Sequence, residues 1–180
     1  MTVSRKEALE ALRDIEAVRN RSSALRQYAL VAPHFFLWGI IWAVGYGVAD
    51  FLPSRSATAW GILLPVGGIA GFAITRRMRG SGSGMQFVAA AVTILLFLCA
   101  TFAVMSPLSS RQVAAFIPLV MAAGYALVGI WFGLRFVAAG AVIAAATLVG
   151  YFFLSHHFSL WMAGVGGGSL ILAGIWFRRA

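Results

Sequence analysis

The chain has 180 residues, of which 61% are hydrophobic and 11% charged, with a formal net charge of +9. A soluble domain carries about a quarter charged residues and a single apolar stripe per helix, so this composition excludes a soluble globular protein. The positive charge flanks long apolar runs, where arginine accumulates beside membranes, so it gives no ground for a nucleic-acid surface.

The first element is an arm, residues 1–28, which the pattern predicts to be a cytosolic amphipathic helix. Ser4 and Glu7 have the spacing of a capping box. Ala8, Ala11, Leu12, Ile15, Val18 and Leu25 recur at three- and four-residue spacing. Acids lead (Glu7, Glu10, Asp14, Glu16) and arginines follow (Arg19, Arg21, Arg26), as the helix dipole favours. Two uses of the apolar stripe stay open. It lies on lipid with its late arginines on anionic headgroups, or it docks a protein partner through Leu12, Ile15, Val18 and Leu25. Ala8, Ala11, Ile15, Val18, Ser22 and Leu25 also fit heptad positions, which would make a weak coiled coil.

Residues 29–180 form the second unit. Six uncharged apolar stretches fill it: Ala29–Ala49, Ala57–Thr75, Phe87–Ser106, Val113–Gly133, Phe136–Leu154 and Ser159–Phe177. Each is long enough to cross a hydrocarbon core of about 30 Å as a helix. Helix is the form that leaves no backbone amide unpaired in lipid. The expected fold is therefore all-α, a bundle of six transmembrane helices. Short links at Asp50–Ser56, Pro107–Gln112 and Ser155–Phe158 predict three antiparallel hairpins, and Leu134–Arg135 makes spans four and five neighbours as well. The link Arg76–Gln86 is basic and rich in glycine and serine.

With the N-terminus inside, twelve basic residues fall on the inner side: Arg5, Lys6, Arg13, Arg19, Arg21, Arg26, Arg76, Arg77, Arg79, Arg135, Arg178 and Arg179. Only Arg55 and Arg111 fall outside. This asymmetry places both termini in the cytoplasm. Lys6 is the one lysine, and the arginine, alanine and glycine bias points to a bacterial inner membrane. No cleavable signal peptide is visible, because the first apolar run begins only near residue 29.

The spans carry few chemical groups. The even spans end alike, with Gly71 before Arg76, Gly129 before Arg135 and Gly174 before Arg178, and Val-Gly-Tyr recurs at Val44–Tyr46 and Val149–Tyr151. Either a triplicated hairpin or convergence at membrane ends explains this. Gly67–Gly71, Gly129–Gly133 and Gly164–Gly168 have GxxxG spacing. Gly166, Gly167 and Gly168 stand in a row. Close packing in one bundle, a seam in a homo-oligomer and a locally unwound helix are the three uses of such glycines.

His34, Tyr46, Asp50, Thr101 and Tyr125 are the candidate solute or ion contacts, since hydroxyl, imidazole and carboxylate are the groups with which a pathway would solvate a solute. His34 lies at the opposite end of the spans from His156 and His157, so the three histidines cannot share a centre. Cys99 is the single cysteine, which excludes an intramolecular disulfide and a cysteine metal cage. No G-x-S-x-G, no H-E-x-x-H and no carboxylate pair occurs in the spans. We therefore expect a non-enzymatic membrane protein with no cofactor, metal or nucleic acid. Its first reading is an accessory or regulatory subunit. The alternative is a small transporter, channel or substrate-binding subunit for an apolar or amphipathic solute. If Tyr46, Tyr125 and Thr101 converge on one cavity, transport gains; if they face different neighbours, it loses.

Overall fold

The computed structural model describes residue 28 and residues 30–79, 84–106 and 108–179. Residues 1–27 of the arm, with Leu12, Ile15, Val18 and Leu25, lie outside the described residues. All regular structure among the described residues is helical. The helices are α1 (Leu30–Phe51), α2 (Ser56–Arg79), α3 (Gly84–Val104), α4 (Ser110–Phe132), α5 (Leu134–Phe153) and α6 (Phe158–Arg178). A 3₁₀ turn, Pro53–Arg55, joins α1 to α2. Five of the six are long and apolar enough to cross a membrane, and α3 holds a shorter apolar run, Val92–Val104. This is compatible with a membrane helical bundle.

The ends of α4 follow from local chemistry. Ser109 and Gln112 form a reciprocal capping box at its start. The signature S-x-x-Q is legible in the sequence, and it begins the helix three residues before the apolar run at Val113. At its other end Gly133 alone joins α4 to α5, with φ at 114°. Its N–H donates to Gly129 O at 2.9 Å. With ψ at 163°, this conformation is essentially restricted to glycine. A single-residue link holds α4 and α5 side by side over much of their length.

The first span is the hub. Gly39 and Gly167 bring the backbones of α1 and α6 together: a Cβ on Gly39 would lie 3.0 Å from Gly167 O, and one on Gly167 would lie 2.9 Å from Gly39 O. Against α2, Gly45 faces the Trp60 ring, and Gly67 faces Ile41 and Trp38. Against α4, Tyr46 Oη donates to Ala114 O at 2.6 Å, and the Phe35 and Tyr125 rings stack at 4.8 Å. These contacts run antiparallel, as links between consecutive helices predict.

Three expectations need correction. The third and fourth helices do not pack as a hairpin; α3 meets α4 through the Phe102–Phe116 ring pair, and Val92–Phe97 are exposed all round the helix. A short link joins only helix ends, and α3 has no glycine between Phe87 and Val104 to admit a neighbouring backbone. The small residues of α4 are spent on α5, where Gly140 faces Ala122, Tyr125 and Ala126. The hairpins are thus unlike one another in packing, whatever their shared sequence pattern.

Second, Gly164 and Gly168 are not a packed pair, since a Cβ at either would meet nothing within 4 Å. Third, the glycine run is not unwound. The helix continues through a π turn, Met162–Gly166. One extra residue per turn rotates every later position by about 100° relative to an unbroken α-helix. The buried line passes from Phe158 and Met162 through Gly166 and Gly167 to Leu170, Gly174 and Phe177. A GxxxG pattern read at α-helical spacing lands on the wrong face.

Candidate functional site

The most organised cluster lies at the end where α1 begins, α4 ends and α6 finishes. The ring of Tyr28, 7% exposed, packs 5.6 Å from Phe136 and 5.1 Å from Phe177. Phe177 also contacts Phe35 at 4.9 Å and Phe136 at 4.8 Å. Offset and tilted rings at these separations add stability beyond their buried area. The Tyr28 hydroxyl occupies the space where Gly133 would carry a Cβ.

Arg135 covers this cluster. Its Nη1 donates to Trp176 O at 2.9 Å, one of the last carbonyls of α6. Its guanidinium carbon lies 5.2 Å from the Tyr28 ring centre and 5.0 Å from that of Trp176. A cation here satisfies an orphan carbonyl and meets the negative end of the α6 dipole. One side chain thus joins the root of the arm, the start of α5 and the end of α6. Sequence reasoning misses Tyr28 and this use of Arg135; the available signal is an aromatic residue directly before the first apolar run.

The five candidate residues are spread over three helices: His34, Tyr46 and Asp50 on α1, Thr101 on α3 and Tyr125 on α4. His34 is half-buried in α1 with Nε2 3.2 Å from Thr75 Oγ1 on α2. Thr75 Oγ1 also donates to Gly71 O of its own helix at 2.9 Å. Tyr46 sits at the other end of α1, edge-on to Trp42, Trp60 and Phe158. Tyr125 stacks on Phe35. Thr101 donates to Phe97 O in its own helix at 2.8 Å, on the exposed α3. Asp50 lies half-buried in the last turn of α1. His156 and His157 are exposed in the link before α6, at the opposite end from His34.

Other polar groups are also used internally. Thr147, fully buried, donates to Ile143 O at 2.8 Å, and Trp161 Nε1 donates across helices to Ala146 O at 2.7 Å. Among the described residues no buried side-chain nitrogen or oxygen lacks a hydrogen-bond partner, and no three His, Cys, Asp or Glu residues lie together as a metal group would require.

The strained link gives a direct test of the cluster. We expect Gly133→Ala to destabilise the bundle by about 2 kcal/mol, because it forces a side chain into a glycine conformation and against the Tyr28 hydroxyl. Tyr28→Phe in the Gly133→Ala background should recover part of the loss by removing that hydroxyl. Unfolding by SDS titration of the mixed-micelle protein measures both. Compared with protein-family models, with curated proteins and with solved structures, the chain matches none.

Proposed function

We propose that this chain is a multi-pass protein of a bacterial inner membrane, with six spans and both termini in the cytoplasm. Its function is accessory or regulatory and non-enzymatic: the arm, residues 1–28, docks a protein partner, and the bundle anchors and positions that arm. The observation that carries this reading is that, among the described residues, no buried side-chain nitrogen or oxygen lacks a hydrogen-bond partner. Tyr46, Thr147 and Trp161 donate to backbone carbonyls of this chain, and His34 meets Thr75. A solute path needs polar groups free to replace water. Tyr46, Tyr125 and Thr101 instead face three different sets of neighbours, and their convergence on one cavity is what would have favoured a transporter.

The arginine asymmetry supports the orientation, and the Tyr28 cluster supports a mechanical role for the arm. A partner holding residues 1–28 holds Tyr28, and through it Phe136, Phe177 and Arg135.

The test is gentle extraction from native membranes followed by native mass spectrometry of the intact particle. We expect a heteromeric mass at fixed stoichiometry. Ile15→Asp with Val18→Asp should abolish the heteromer while leaving the SDS unfolding midpoint unchanged, since both positions belong to the proposed docking arm. A particle of this chain alone carrying a bound small molecule would instead establish ligand binding. Survival of the heteromer in the double variant would remove the arm as the docking surface.

A further inference from the structure

We propose that α6 is a two-register helix. The π turn at Met162–Gly166 is one state of a joint whose other state is an unbroken α-helix, with the Gly167–Arg178 half rotated by one residue.

The backbone shows how the joint is made. The Gly167 N–H donates to Met162 O, five residues back, and to Gly164 O, three back. It passes over Ala163 O, its partner in an α-helix. Moving each donor along by one carbonyl converts the π turn to α. The segment Ala163-Gly-Val-Gly-Gly-Gly-Ser opposes this little, because its glycines carry no side chains to be dragged past α1. Gly164 and Gly168 already face open space.

The sequence of the inner half then tolerates the shift. With Phe158 and Met162 held in place, an α-helix brings residue i − 1 to each position where residue i now packs. Gly166 replaces Gly167 against Gly39, so the close backbone crossing keeps a glycine. Ala173 replaces Gly174, where a Cβ would stand 3.2 Å from the Phe36 ring and 3.3 Å from Ala32 O, a fit that needs a few tenths of an ångström. Trp176 replaces Phe177 in the aromatic cluster. Ser169 replaces Leu170, which is 1% exposed, and this loss of an apolar contact makes the π state the favoured one.

Arg135 is the latch. Its place between the Trp176 and Tyr28 rings belongs to the π register; the backbone carbonyl it meets does not, because Ile175 O takes the place of Trp176 O when the register shifts. Rotation of the inner half by about 100° takes Trp176 away from it. Tyr28 packs on Phe177, so the root of the arm changes neighbours when the register changes. The register change stands whatever the arm docks; only its transmission to a partner rests on the docking reading.

Disulfide trapping in native membranes tests it, using the full chain with Cys99→Ser and copper phenanthroline as oxidant. Ala32→Cys with Gly174→Cys reports the π register. Ala32→Cys with Ala173→Cys reports the α register. Ala32→Cys with Leu172→Cys is the control, since Leu172 is 67% exposed. We expect the Gly174 pair to form fastest and the Ala173 pair to form faster than the control. Arg135→Gln should raise the Ala173 rate roughly twofold to fivefold, the size of one cation–π contact at a partly exposed site. Deleting Val165 removes the extra residue while keeping both packing faces, so it should leave the Gly174 pair and reduce the Ala173 pair to control level.

An Ala173 rate equal to the control in both the parent and Arg135→Gln overturns the proposal. So does Ala173 trapping that persists after Val165 deletion, because it then reflects motion without a register change. If the deletion variant loses the Gly174 pair and so fails to fold, the comparison with Leu172 decides alone. None of these outcomes depends on a partner, so failure here is separate from failure of the docking experiment.

Discussion

Replacing Gly167 with leucine separates α1 from α6 and lowers the stability of the bundle by about 3 kcal/mol, at the upper end of the cost of overpacking. A Cβ at this position meets Gly39 O at 2.9 Å, Ala43 N at 3.0 Å and Ala43 Cα at 3.2 Å. All three are backbone atoms, which cannot rotate aside as a side-chain terminus does. The helices must therefore move apart along the whole crossing. In a bilayer no hydrophobic force draws them back, because lipid tails are as apolar as the separated faces. What is lost is dispersion between closely approached backbones. Gly168→Leu is the matched control on the same helix. A Cβ there meets nothing, and a surface substitution of this kind stays within about 0.5 kcal/mol. SDS unfolding titrations of the two variants measure the contrast. Equal losses at Gly167 and Gly168 would show that the buried line does not follow the π turn.

Gly140→Leu should produce a loss of similar size, about 3 kcal/mol, at the other main seam. The added side chain runs into Ala122 O, Ala126 N and Tyr125 Cβ on α4. Its effect spreads, because Tyr125 stacks on Phe35 and α4 also receives the Tyr46 hydroxyl at Ala114 O. Opening α4–α5 therefore loosens α1 as well. Gly124→Leu, on α4 with nothing near its Cβ position, is the control. A Trp fluorescence shift on unfolding reports both events, since Trp42 and Trp60 flank Tyr46. If Gly140→Leu unfolds at the parent midpoint, the α4–α5 crossing is not where the structure puts it.

Part of the candidate site is legible in the order of residues along the chain. The hydroxyls and the histidines can be placed by depth from their positions in the apolar runs, and His34 does stand apart from His156 and His157. Which neighbour each meets is not legible there. Tyr46, Tyr125 and Thr101 sit at sequence positions that allow one shared cavity; only the packing sends Tyr46 to Ala114 and Tyr125 to Phe35, while Thr101 turns back on Phe97 O of its own helix. Arg135 reads as one of many arginines at membrane ends, yet it joins three elements. Proximity across helices has no local signal.

The helices themselves were determined by the sequence alone. Their number, their lengths and the shortness of their links follow from uncharged runs that must satisfy their own backbone hydrogen bonds. The facing of each helix was decided by the tertiary structure. In a soluble helix the apolar stripe announces which side is buried, but these helices are apolar on all sides, so periodicity carries no such information. Burial then depends on where backbones can approach. That is set by Gly39, Gly140 and Gly167 and by the one-residue shift of the π turn, which composition and spacing do not reveal.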